Sequence, residues 1–341
     1  MSIPSIVLSS GYKMPIFGLG TFLSKPNEVY TAVYQAIKDG YRLIDTAIAY
    51  MNEKEIGQAI HDAIKDGLVK REELFITTKL WVTDFEPECA RKSFAQSLKN
   101  LQIDYLDLYL IHYPFEVKVA PEDEAKRDPN NYFSVPLINP NHPELRLGWN
   151  VNRMANCWKA LEELVEQGKI HSIGVCNFTV KKLKEFIPFC TIKPAINQVE
   201  LHPQLQQWML YDYCKENNIW LTAYCPLGHP NRTTDHRETK LAPMEKPLVI
   251  DLGKKYNKTP AQIILRWAVQ RGTIVIPKTV TASRLLENMN IFDFSLTEEE
   301  MTEMKGLDEG QRGPHGHQTA PLESTHAERW DNEYTEKDWI N

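Results

Sequence analysis

The chain has 341 residues, enough for one large α/β domain or two average ones, and length alone does not choose between them. Its 39 basic and 45 acidic residues are interspersed and sum to a formal charge of -6, which leaves no basic stripe for nucleic acid and no polybasic anchor for a lipid surface. No apolar run approaches membrane-spanning length, the first ten residues lack a basic leader, and six scattered cysteines form no Cys-x-x-Cys pair; the expectation is a cytoplasmic protein with free thiols.

Along the chain, Ser10-Gly11-Tyr12-Lys13 predicts a tight hairpin, and Ile16-Phe17-Gly18-Leu19 is the first short apolar run. A helix follows from Glu28, with Val29, Val33, Ala36 and Ile37 on one face and Gly40 placed as its C-terminal cap. The run Tyr41 to Ile44 comes next, then a helix over 53–66, a strand over 74–78, a helix over 86–99 and a strand over 105–111. The alternation resumes with helix 151–167, strand 170–175, helix 180–188, strand 195–199, helix 205–216 and strand 219–224. It ends with helix 260–271, strand 273–276 and helix 281–290.

Short apolar strands in strict alternation with helices imply a parallel sheet covered on both faces, and eight such units close a barrel. The expected architecture is a single (β/α)8 TIM barrel spanning 1–341, with the N-terminal β-hairpin capping its floor. A doubly wound sheet would want a Gly-x-Gly-x-x-Gly turn, and Gly18-Leu19-Gly20-Thr21-Phe22-Leu23 lacks the third glycine. Two segments escape the alternation, 113–150 and 296–341, and both are expected as long loops at the C-terminal face. His315, His317 and His326 lie in the second without ligand spacing, so no metal is expected there.

Four polar residues stand where apolar runs end: Asp45, Tyr50 five residues on, Lys79 and His112. In a barrel of this kind strand ends converge on one rim, so a carboxylate, a phenol, an ammonium and an imidazole would meet. A cation beside a phenol favours the phenolate, so Lys79, held charged by Asp45, would make Tyr50 an acid usable near neutral pH. Taken singly, the Asp-Lys pair reads equally as a structural ion pair and the Tyr and His as packed hydrogen-bonders. All four on three neighbouring strand ends point instead to a carbonyl reductase.

Residues 9–295 resemble the aldo-keto reductase superfamily, most closely its aldose reductase and xylose reductase branches. The resemblance rests on Gly40-Tyr-Arg-Leu-Ile-Asp45-Thr-Ala-Ile-Ala-Tyr50-Met-Asn-Glu53, Thr77-Thr-Lys79-Leu-Trp81 and Leu106-Asp-Leu-Tyr-Leu-Ile-His112-Tyr-Pro114. It continues through Gly174-Val-Cys-Asn177-Phe, Asn197-Gln198-Val-Glu200, Ala223-Tyr224-Cys-Pro-Leu-Gly228 and Ile276-Pro-Lys278-Thr, all in family order. It implies that Tyr50 is the proton donor, Lys79 and Asp45 its activating pair and His112 the orienter of the substrate carbonyl. It also implies NADPH as cofactor. Cys176, Asn177 and Gln198 would face the nicotinamide carboxamide, Tyr224 its ring, and Cys225 and Leu227 the pyrophosphate side. Lys278 and Arg284 would meet the 2'-phosphate, Thr279 would line the cofactor site beside them, and Glu287 and Asn288 would meet the adenine. Phe22, Trp81 and Tyr113 would line the substrate pocket.

The chain departs from the family pattern at Cys176 and Cys225, where serine is common, and at Phe22 and Tyr113, where tryptophan is common. A thiol is a poorer hydrogen-bond partner than a hydroxyl, so Cys176 would hold the carboxamide less firmly and Cys225 would grip the pyrophosphate mainly through its backbone, which leaves cofactor affinity and oxidant sensitivity open. Residues 228–237 would form a belt over the cofactor. The resulting expectation is an NADPH-dependent reductase of aldehydes or aldoses, monomeric or homodimeric, acting on a small carbonyl substrate. Two alternatives stay open at this stage: a cofactor-sensing regulatory subunit with little turnover, and a Schiff-base isomerase or aldolase using Lys79.

Overall fold

The computed structural model describes residues 3–124, 126, 128, 141–228 and 241–310. The chain opens with β1 (Ser5–Val7) and β2 (Lys13–Pro15), then β3 (Leu19–Gly20), α1 (Pro26–Asp39), β4 (Leu43–Asp45), α2 (Glu53–Lys65), β5 (Phe75–Leu80), α3 (Pro87–Leu101) and β6 (Leu106–Ile111). The insert holds β7 (Glu116–Val117), α4 (Pro121–Glu124) and β8 (Arg146–Gly148). There follow α5 (Val151–Glu166), β9 (Ile170–Cys176), α6 (Val180–Phe186), β10 (Ile196–Glu200), α7 (Trp208–Glu216) and β11 (Trp220–Tyr224). The last elements are α8 (Pro247–Tyr256), α9 (Pro260–Gln270), β12 (Ile274–Val275), α10 (Ala282–Met289) and α11 (Glu298–Lys305).

Eight parallel strands run in the order β3, β4, β5, β6, β9, β10, β11, β12, and parallel bridges Phe17 to Val275 and Gly20 to Lys278 join the two edges. The expected (β/α)8 barrel is therefore the fold. Its first strand is shorter than the run Ile16 to Leu19 suggested, because residues 16–18 pair with the last strand only through isolated bonds such as Gly18 N to Val275 O at 2.9 Å. Three helices went unforeseen, the short α4 in the insert expected as a loop, α8 and α11. α8 buries Val249 and Leu252 in the region read as loop, and α11 is started by Thr297 and Glu300, each accepting from the other's backbone N–H.

Alternate residues on each strand point to opposite faces, and this periodicity divides the core in two. Ile44, Ile76, Tyr109, Val175 and Ala223 face the helices within the outer cluster. Leu43, Phe75, Leu108, Ile196 and Ile274 face inward, where Leu8 and Met14 of the β1–β2 hairpin join them. The hairpin thus plugs the floor as expected. It is pinned there by Ser10 Oγ at 2.7 Å from Ser172 Oγ and by Tyr12 stacked on His171, ring centroids 4.1 Å apart.

Candidate active site

Along the inward rows the apolar residues give way to polar ones toward the strand ends. On β4 Leu43 is followed by Asp45, and on β5 Phe75 and Thr77 by Lys79; past β6, Leu108 and Leu110 are followed by His112. The same parity carries Ile196 to Gln198 on β10 and Thr222 to Tyr224 on β11. Strand periodicity therefore aims all these side chains at the barrel mouth.

Tyr50 reaches the rim by another route. A single turn of 3-10 helix, Ile48–Tyr50, closes at Met51 in the left-handed region, with Tyr50 N donating to Ala47 O at 2.9 Å. Asn52, 1% exposed, fastens this turn: its Nδ2 donates to Thr21 O at 3.0 Å and to Ser24 O at 3.2 Å, and its Oδ1 accepts from Thr46 Oγ1. Asn52 was not foreseen as a site residue, although its place just before the first charged residue of α2 is where a helix-start Asn is common.

The four candidate catalytic residues come together. Lys79 Nζ donates to Asp45 Oδ1 at 2.5 Å and to the Thr46 carbonyl at 2.8 Å, and lies 3.5 Å from Tyr50 Oη. The Lys79 and Asp45 side chains are 0% and 4% exposed, so this is a fully desolvated ion pair held by extra hydrogen bonds. The Tyr50 and His112 rings meet edge-on, centroids 5.7 Å apart.

The electrostatics differ from expectation at Tyr50. Burial pushes its phenol well above the ordinary tyrosine value, and the Asp45 carboxylate adds to that push. Burial outweighs the pull of Lys79 on the phenol, and Asp45 at contact distance offsets part of that pull. Burial first, and the Lys79 charge second, hold His112 well below the usual histidine value, so the ring is neutral. Burial likewise raises the Asp45 carboxyl, opposed by Lys79 and by Gln198.

Aromatic rings shape the pocket beside the tetrad. Phe22 lies 4.9 Å from Tyr50, Trp81 meets His112 edge-on at 5.0 Å, and Tyr113 stacks on His112 at 5.0 Å and 15°. Ile48, Val117 and Phe115, which were not foreseen, pack with Trp81 and Tyr113. Val117 comes from the described part of the 113–150 insert, which thereby reaches the mouth. The alternation Tyr113, Phe115, Val117 was the available signal.

On the opposite side of the rim, Asn177 Nδ2 donates to the His112 carbonyl at 3.0 Å, and Asn177 Oδ1 accepts from Tyr224 Oη at 2.8 Å. Asn177 and Cys225 both have positive φ, 66° and 49°, at the ends of β9 and β11. Asn tolerates that region and Cys does not, so the Cys225 backbone is held there at a cost of about 1–3 kcal/mol. Burial pushes the thiols of Cys176 and Cys225 far above the usual cysteine range, which keeps them protonated.

Beyond β12, Thr279 is 7% exposed and its Oγ1 accepts from Thr281 N at 3.1 Å, at the start of α10. Thr281 offers no side-chain cap to that helix; Arg284 N donates to the Thr281 carbonyl at 3.0 Å, and the N–H groups before it are left for an outside acceptor. Lys278 and Arg284 flank this start, exposed and without an ion pair among the described residues. Glu287 Oε1 accepts from Thr259 Oγ1 at 2.9 Å, Asn288 is 4% exposed, and Leu227 packs partly buried against the outer cluster. Two cations, open N–H groups and an adjoining aromatic and amide cradle suit a phosphorylated dinucleotide. Of the expected belt only Gly228 lies within the described residues; 229–237, the three tail histidines and the segment 311–341 lie outside them.

This geometry can donate a proton to a carbonyl oxygen from a desolvated phenol, with a neutral imidazole as second donor. Comparisons agree with a reductase. The family model described as the Aldo/keto reductase family matches residues 16–309. Aldo-keto reductase family 1 member A1 from Gallus gallus is 40% identical over 308 residues, covering 90% of this chain and 89% of that protein. The Homo sapiens protein of the same name is 39% identical over 314 residues, covering 92% and 91%. Among solved structures, an aldose reductase from Schistosoma japonicum superposes with a TM-score of 0.81 at 36% identity, covering 97% of this chain and 99% of that one. An aldo-keto reductase from Bombyx mori in complex with NADP gives 0.78 at 34% identity, covering 92% and 95%. The chain belongs to the aldo/keto reductase family and is an oxidoreductase.

Proposed function

We propose that this protein reduces aldehydes or aldoses to alcohols by direct hydride transfer from NADPH, with Tyr50 as proton donor. The observation that carries the reading is the buried Asp45–Lys79–Tyr50 relay next to the neutral His112. NADPH is supported by the Bombyx mori relative, whose structure contains NADP, and by the exposed Lys278 and Arg284, without an ion pair among the described residues, at the start of α10.

When bound, NADPH supplies hydride to the carbonyl carbon. The protein's own task is then at the oxygen, where alkoxide charge develops. A phenol raised by burial is a loaded donor at every physiological pH, and a developing alkoxide is basic enough to take its proton. Lys79 offers the leaving phenolate a cation at 3.5 Å, so its charge is not left bare. His112 Nδ1 is buried without a hydrogen-bond partner among the described residues, and a buried orphan acceptor is more readily tolerated than an orphan N–H. That assigns the single proton of the neutral ring to Nε2, the nitrogen free to steady the substrate oxygen. Trp81 and Tyr113, rather than a hydrogen bond, hold the ring in place.

On this reading the remaining roles follow the site. Asn177, Gln198 and Cys176 hold the carboxamide, Tyr224 covers the nicotinamide, and Cys225 and Leu227 lie along the pyrophosphate. Lys278 and Arg284 take the 2'-phosphate, Thr279 lines the cofactor site beside them, and Glu287 and Asn288 meet the adenine. Phe22, Trp81 and Tyr113 line the carbonyl pocket. The test is NADPH consumption over a panel of aldoses, aliphatic aldehydes and aromatic aldehydes, for wild type and Tyr50→Phe. The variant is expected to lose about 10²–10⁴-fold in kcat while NADPH still quenches protein fluorescence. Undiminished turnover in the variant would remove Tyr50 from the mechanism, and binding without turnover by wild type would favour a regulatory subunit.

A further inference from the structure

One side chain belongs both to the carboxamide cradle and to the proton-donor network. Gln198, inward on β10 and 2% exposed, donates from Nε2 to Asp45 Oδ2 at 2.6 Å, while Lys79 occupies Oδ1 of the same carboxylate. A carboxylate only accepts, so the amide nitrogen and not its oxygen faces Asp45. The other end of the amide, Oε1, faces Cys176 Sγ at 4.0 Å, a weak donor at the limit of a hydrogen bond. Gln198 therefore has its donor committed to the ion pair and its acceptor turned to the cradle, where a carboxamide N–H is the stronger partner.

We propose that Gln198 is a positioning residue for proton transfer, a bridge through which the seat of the nicotinamide carboxamide and the Asp45–Lys79–Tyr50 relay are set by a single amide. The proposal rests on the functional reading above. Its physical basis is competition for the charge of Asp45. With Gln198 holding Oδ2, the carboxylate is satisfied at both oxygens, and Lys79 keeps its ammonium charge available to Tyr50. Without it, Asp45 draws more strongly on the Lys79 proton, and the phenolate left by proton transfer meets a weaker cation. A residue that served the cofactor alone would have no reason to spend its donor on Asp45.

The experiment is a double-mutant cycle of Gln198→Met and Asp45→Asn. It reads kcat at saturating NADPH with the best carbonyl of the wild-type panel, and reads NADPH affinity separately by fluorescence quenching. Gln198→Met is expected to lower kcat by about tenfold to hundredfold even at saturation, as for loss of a hydrogen bond to a buried charge, and by less than about twofold once Asp45 is Asn. Equal losses in the two backgrounds, or a loss confined to NADPH affinity with kcat kept, would overturn the proposal. Gln198→Glu, nearly the same shape, serves if the methionine variant does not fold. It replaces the donor with a second carboxyl and is expected to lower kcat with the same dependence on Asp45; wild-type kcat in it would also overturn the proposal. Failure of the functional reading is separately visible, because wild type itself would then bind NADPH without turnover.

Discussion

The floor and the mouth of this barrel are built from the same strands, two to four residues apart, and they solve opposite problems. At the floor the inward positions are apolar, Leu43, Phe75, Leu108, Ile196 and Ile274, and Leu8 and Met14 of the hairpin complete the plug. Polar groups there stay near the surface: Arg71 pairs with Asp107 at 2.7 Å with side chains 16% and 11% exposed, and His171 stacks between Tyr12 and Tyr105. At the mouth the inward positions are Asp45, Lys79, His112 and Gln198, desolvated almost completely. The floor lowers the free energy of the fold by burial. The mouth holds a charged pair that burial opposes, and it tolerates Asp45 and Lys79 because each makes further hydrogen bonds.

The contrast yields tests of decreasing size. Phe75→Ala at the floor is expected to lower the unfolding free energy by about 3–5 kcal/mol, measured by denaturant titration, with kcat per folded molecule unchanged. A matching fall in kcat would mean that the two ends are not independent. At the mouth, His112 is held low and Tyr50 high, so His112 stays neutral until pH drops past its lowered value and Tyr50 stays protonated until pH rises past its raised one. The pH profile of kcat for carbonyl reduction should therefore be flat from below about 6 to about 10; a limb near the ordinary histidine value of about 6.5 would contradict the desolvated site. Tyr12→Ala, which removes the stack on His171, should lower stability by about 0.5–1.5 kcal/mol and leave carbonyl reduction unaltered.

Much of this was legible in the residues. Apolar runs ending in Asp45, Lys79 and His112 report strand ends because the inward face of a barrel strand must turn polar where the packed layers stop. The hairpin at Gly11 and the helix start after β12 were legible for similarly local reasons. α8 and α11 were not read, although Thr297 and Glu300 carry a helix-start pattern that could have been found. Other features have no local signature. Gln198 and Asp45 are 153 residues apart in the chain, and nothing in either segment announces that they share a hydrogen bond. The packing of Phe115 and Val117 against Trp81 depends on how the insert folds back over the mouth.

The sequence by itself determined the barrel and the roster of groups at its mouth, because strand periodicity and helix spacing are short-range and each repeat states its own orientation. Only the tertiary structure decided what those groups do to one another. Lys79 was expected to make Tyr50 a stronger acid, yet in the fold burial outweighs its pull and Asp45 offsets part of it, so the phenol is raised. Ionisation depends on distance and on water removed, and both are set when strands far apart in the chain close into a ring.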